Sequence, residues 1–178
     1  IMRGNKIAII GTNGIGKSTL LKTIIEEMSL ISGEINIGNN VSIGYYAQSQ
    51  LDILDPKLNA LDNVLKLTKD INQQQARAIL GCLLITKDDV KKQVRVLSGG
   101  EKSKVTIAAL LAQKSNFLIL DEPTNHLDMS STEALSNALA EYDGTILVVS
   151  HNRSFINSFA THIYTMDKIK KAELIGID

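Results

Sequence analysis

The stretch Gly11-Thr12-Asn13-Gly14-Ile15-Gly16-Lys17-Ser18-Thr19 constrains this chain more than any other, because it fits the phosphate-cradling pattern G-x-x-x-x-G-K-[ST]. The pattern needs a strand before it and a helix after it. Ile7-Ala8-Ile9-Ile10 supplies the strand, and Leu20, Leu21, Ile24 and Ile25 supply one face of a helix expected from Lys17 to Met28. Glycines at 14 and 16 let the backbone turn its N–H groups inward at the start of that helix, where the dipole also favours an anion. In such a nest Lys17 reaches the β- and γ-phosphates of a nucleotide, and the Ser18 hydroxyl holds Mg²⁺. The alternative is a glycine-rich strand-to-helix turn that binds nothing.

At 178 residues the chain can bury one core, and its length argues for a single domain or part of one. Lys+Arg and Asp+Glu are both 19, so net charge advertises neither nucleic acid nor an anionic membrane as partner. A single cysteine, Cys82, excludes an internal disulfide. No apolar run approaches the length of a membrane span, and the expected location is the cytosol, with no direct membrane insertion. A core strand starts within a few residues of Ile1, which suggests a fragment lacking N-terminal strands.

The expected architecture is α/β. Glu34-Ile35-Asn36-Ile37, the turn Gly38-Asn39-Asn40 and Val41 to Tyr46 alternate as an antiparallel hairpin would. Pro56 precedes helical patterns at Ala60 to Leu67 and Gln73 to Leu84, so residues 51–97 read as a helical subdomain inserted in the core. A helix then follows from Lys102 to Gln113 and another from Met129 to Tyr142. Phe117-Leu118-Ile119-Leu120 and Thr145 to Val149 are uninterrupted apolar runs, as in parallel strands covered on both faces, and a last strand spans Thr161 to Met166.

Ligands of such sheets gather at the C-terminal strand ends. There stand Asp121-Glu122 after one run and Ser150-His151 after the other. Neighbouring side chains at a strand end point differently, so Asp121 is assigned to the metal and Glu122 to the base that activates a water. A solvated acid pair is the competing reading, and a lone histidine is ordinarily a surface residue. Ser98-Gly99-Gly100-Glu101 before a helix is either an N-cap or a second anion site.

Taken in order, the phosphate loop, Gln48, Leu97-Ser98-Gly99-Gly100-Glu101, Phe117 to Glu122, Asn125-His126-Leu127-Asp128 and His151 resemble the nucleotide-binding domain of an ABC ATPase. The resemblance covers nearly the whole chain and implies a P-loop core that binds ATP and Mg²⁺. It implies that Gln48 senses the metal and the attacking water, and that His151 touches the γ-phosphate. It also implies that Ser98 to Glu101 contact ATP held by an opposite domain, with Asp128 lying across that interface. Two domains, in one chain or as a homodimer, would then sandwich ATP.

The wording Leu-Ser-Gly-Gly-Glu-Lys with Asp-Glu-Pro-Thr-Asn-His-Leu-Asp looks most like the ABC-F branch, and the compact stretch between Gln48 and Ser98 looks like its second domain. That branch implies a soluble protein acting on the ribosome. The rivals are an ATPase subunit of a membrane transporter and an ATP-dependent clamp with negligible turnover. Asn152 stands where the family usually has Asp, which puts the setting of the histidine loop in question. No aromatic residue precedes the phosphate loop to stack on adenine, and Tyr45 and Tyr46 are expected in a buried strand.

Overall fold

Thr145–Val149 is buried at every residue, and a strand of that kind needs a neighbour on each edge and a cover on each face. The computed structural model, which describes residues 1–47, 53–68, 70–167 and 173–176, supplies all four. Among the described residues six strands form: β1 (Lys6–Gly11), β2 (Ile43–Tyr46), β3 (Phe117–Asp121), β4 (Thr145–Val149), β5 (His162–Met166) and β6 (Glu173–Gly176). They lie in the order β2-β3-β4-β1-β5-β6. All neighbours run parallel except β5 with β6.

Alternation along the strands feeds two hydrophobic layers. Ile7, Ile9, Phe117, Ile119, Leu147 and Val149 face Leu21 of helix α1 (Lys17–Ile24). Ala8, Leu118, Leu120, Ile146 and Val148 face the opposite layer, with α4 (Gly99–Ala112) and α5 (Met129–Glu141). Leu21 and Leu135 have no solvent exposure, so truncating either to Ala costs about 2–5 kcal/mol. Between β2 and α4, helices α2 (Ala60–Leu67) and α3 (Gln73–Cys82) pack on each other and on α4. Buried Asn63 secures the loop into α2, accepting from the Asp55 N–H at 2.8 Å and donating to the Asp55 carbonyl at 3.0 Å.

Three expectations are corrected. The hairpin at 34–46 does not form: residues 34–42 carry no strand, and β2 lies parallel to β3. Ile37 and Val41 stay exposed, because the ladder that Ile43–Tyr46 joins is the buried edge of β3. The antiparallel pair is β5 with β6 instead. Helix α1 stops at Ile24 rather than Met28, since Glu26 adopts φ +63° and both the Glu27 and Met28 N–H groups donate to the Lys22 carbonyl. Helix α4 begins at Gly99, three residues before the expected start, and a short helix α6 (Arg153–Asn157) was not anticipated.

Candidate nucleotide site

The strand order decides what meets at the sheet's C-terminal edge. With β4 between β3 and β1, and Val149 in register with both Asp121 and Ile9, the segments after these strands emerge side by side. They enclose a cavity of about 560 Å³ whose walls include Asn13, Gly14, Gly16, Lys17, Ser18, Thr19, Glu122, Asn125, Val149 and His151. Lys17, Glu122 and His151 are thus brought together from three separate segments.

On one wall, Gly16 caps α1 at φ +108°, a conformation that glycine adopts without strain, and no side chain occupies the cap. The opening amides of α1 have no intrahelical acceptor and remain as donors for an anion. Lys17 is buried, and its Nζ donates to the loop's own carbonyls, at 2.9 Å from Gly11 O and 3.1 Å from Thr12 O. The ammonium is therefore held inside the loop by neutral acceptors.

On the other wall, Glu122 takes φ +49°, in the left-handed region, which costs a non-glycine residue about 1–3 kcal/mol. Two bonds fix it there: its N–H donates to the Val149 carbonyl at 2.9 Å, and its carbonyl accepts from the Asn125 N–H at 3.3 Å. The carboxylate turns toward His151, with Oε1 3.4 Å from Nε2. Burial raises the Glu122 pKa, and the His151 side chain and backbone N–H oppose that rise. A carboxylate whose pKa is raised in a cleft is a stronger base than a free one. Asp121, on the same strand end, leaves Oδ1 buried and without a hydrogen-bond partner among the described residues.

Ser98 and Glu101 do not line this cavity. They form a capping box on α4, the Glu101 N–H donating to Ser98 Oγ at 3.3 Å and the Ser98 N–H to Glu101 Oε2 at 2.8 Å. Gly99 and Gly100 open the same helix, and a Cβ on Gly100 would stand 2.4 Å from the His126 carbonyl oxygen. The two motifs are thus in contact through backbone. Asp128 caps α5, accepting from the Ser131 N–H at 2.7 Å and from Ser130 Oγ at 2.9 Å, and these bonds draw its pKa down to about 2.

Gly11, Thr12 and Ile15 build the loop without lining the cavity. Tyr46 is buried in β2, as expected, and the buried Tyr45 hydroxyl is pushed up to about 12, first by burial and then by Asp121. Asn152 caps α6 by accepting from the Phe155 N–H at 3.1 Å, the job an Asp would do, and His151 keeps its place beside Glu122. Gln48 lies outside the described residues. Asn125 and Val149 were not anticipated as lining residues. The signal for Asn125 was its spacing, three residues after Glu122, where a turn returns the chain to the same side.

Comparison with known proteins follows the same outline. Residues 1–125 match a family model described as ABC transporter. The chain is 47% identical to YdiF of Bacillus subtilis (strain 168) over 176 residues, covering 99% of this chain and 27% of that protein. The fold matches the dimeric post-hydrolysis state of the ATP-binding cassette MJ0796 bound to ADP and Pi, with a TM-score of 0.81 and 25% identity, over 97% of this chain and 86% of that one. It also matches the archaeal ribosome recycling factor aABCE1, solved with the ribosomal stalk protein aP1, with a TM-score of 0.80 and 27% identity over 99% of this chain and 35% of that one. The chain spans 27%, 30% and 28% of the length of three curated relatives it matches, YdiF among them.

Proposed function

We propose that this chain, which belongs to the ABC transporter family of ATP-binding domains, is an ABC-F-type ATPase domain that hydrolyses ATP against a second such domain. The observation that carries the reading is the convergence of Lys17, Glu122 and His151 on one cavity beside the uncapped start of α1. Residues 1–178 act as a single domain in it, with 51–97 as its helical insert.

The amides of Gly14 to Thr19 bind the phosphates, and Lys17 exchanges its two carbonyl acceptors for phosphate oxygens. For Mg²⁺ the donor set fits: a hydroxyl at Ser18 and a carboxylate at Asp121, whose buried Oδ1 lacks any other partner among the described residues, are oxygen ligands of the kind that ion takes. Gln48 is assigned to the same ion and to the attacking water on the resemblance. When bound, Mg²⁺ neutralises charge on the phosphates. Glu122 accepts a proton from a water, the water oxygen bonds to the γ-phosphorus as the bond to the bridging oxygen breaks, and ADP and phosphate result. His151 donates to the γ-phosphate and holds Glu122 in place.

Ser98, Gly99, Gly100, Glu101 and Asp128 sit outside this cavity, at the starts of α4 and α5, and complete the site of a partner domain. The dimeric state of MJ0796 supports that arrangement. Action on the ribosome in the full-length protein is supported by the Asp-Glu-Pro-Thr-Asn-His-Leu-Asp wording and by the likeness to aABCE1. No helix among the described residues is long and apolar enough to cross a membrane. The test is Glu122→Gln in the full-length protein. ATP binding is retained and Mg²⁺-dependent phosphate release falls at least about a hundredfold; release at the wild-type rate removes Glu122 from the role.

A further inference from the structure

We infer that Asn125 is a further catalytic residue, whose side-chain amide holds the attacking water opposite Glu122; the inference rests on the hydrolytic reading of this cavity. Of the tetrad Asn125-His126-Leu127-Asp128, the other members have work within the fold. Asp128 caps α5, Leu127 packs on the core, and the His126 carbonyl meets Gly100. Asn125 is exposed, lines the cavity that holds Lys17, Glu122 and His151, and its side chain has no hydrogen bond among the described residues.

Backbone geometry makes this placement firm. The Asn125 N–H closes a turn on the Glu122 carbonyl at 3.3 Å, and Glu122 is itself pinned to Val149. The two side chains therefore leave one rigid turn and share one cavity wall.

The chemistry of the position selects an amide. A water attacking phosphorus has two protons to place and one lone pair to aim. Glu122 takes the first proton, and the Asn125 carbonyl oxygen accepts a hydrogen bond from the second O–H, which stays on the oxygen as the new P–O bond forms and the bond to ADP breaks. A carboxylate there would repel the phosphates, and an apolar side chain would leave the water free to rotate. Fixing a reactant's orientation is worth on the order of a hundredfold in rate.

Asn125→Leu keeps the side chain's shape and removes both polar atoms, and Asn125→Ala removes the shape as well. Being exposed, both variants should fold as the wild type does, with thermal unfolding as the control. In the full-length protein, single-turnover hydrolysis is expected to fall ten- to a hundredfold in both, with the ATP dissociation constant and ATP-dependent domain association unchanged within twofold. Unchanged hydrolysis overturns the inference. So does an equal loss of ATP affinity, which would make Asn125 a nucleotide contact, or loss of domain association, which would make it an interface residue. Glu122→Gln run alongside separates the two claims: a silent Glu122→Gln with an active Asn125→Leu sinks only Asn125, whereas an active Glu122→Gln sinks the hydrolytic reading beneath it.

Discussion

His151 Nε2 stands 3.4 Å from Glu122 Oε1, joining the ends of β4 and β3 across the mouth of the phosphate-loop cavity. Of the influences on the Glu122 carboxyl, burial raises its pKa most, and the His151 charge is the largest that lowers it.

Removing His151 therefore leaves burial less opposed. His151→Ala is expected to lower turnover and to move the acid limb of the pH–rate profile upward, since Glu122 must lose its proton to act as base and would do so at higher pH. An acid limb that stays in place, or moves down, would show that the histidine does not set the charge of Glu122.

Asp128 offers a pH dependence of the opposite sign. Its folded pKa, about 2, lies below the ordinary carboxylate value because it accepts from Ser131 and Ser130. The stabilisation is thus fully present above the unfolded pKa and is lost as pH falls through the folded value. Asp128→Asn keeps an oxygen that can cap α5 but no longer titrates. Thermal unfolding between roughly pH 4 and pH 2 is expected to decline less steeply in the variant. Parallel curves would deny Asp128 its low pKa.

Leu84 marks local strain away from the cavity. After α3 the Ile85 N–H donates to the Leu80 carbonyl at 3.0 Å and the Leu84 N–H to the Gly81 carbonyl at 2.9 Å, a helix-ending motif whose left-handed residue is usually glycine. Leu84 holds φ +61° and is 46% exposed. Leu84→Gly is expected to stabilise the protein by about 0.5–1 kcal/mol, read as a higher urea midpoint, because relief of left-handed strain exceeds the entropy that glycine adds to the unfolded chain. A lower midpoint would show that Leu84 packs usefully.

The parts of the site that are local in sequence were legible from it. Lys17 is tied to Gly16 by the loop pattern, and Asp121-Glu122 follow a run too apolar for anything but a covered strand. What sequence could not supply was pairing. Val41 to Tyr46 alternates in the same way whether the partner is a hairpin neighbour or β3, and only the buried edge of β3 decides between them. Likewise the end of α1 depends on Glu26 entering the left-handed region, for which glutamate gives no warning. The cap reading of Ser98 was half visible: the structure shows Ser98 as a cap and adds Asp128 as another, and the duty of either toward a second domain belongs to the proposed function. Asn125 was passed over because its spacing from Glu122 acquires meaning only once the turn is seen.

The claim beneath all of this is that the turn before α1 recognises phosphates, and calorimetric titration of the full-length protein with Mg²⁺-ATP and with AMP tests it most directly. Because the phosphates supply the contacts, ATP is expected to bind at least about a hundredfold more tightly than AMP, roughly 2.7 kcal/mol, with Lys17→Ala cutting that preference by at least about tenfold. Equal affinity of the wild type for ATP and AMP would contradict the account.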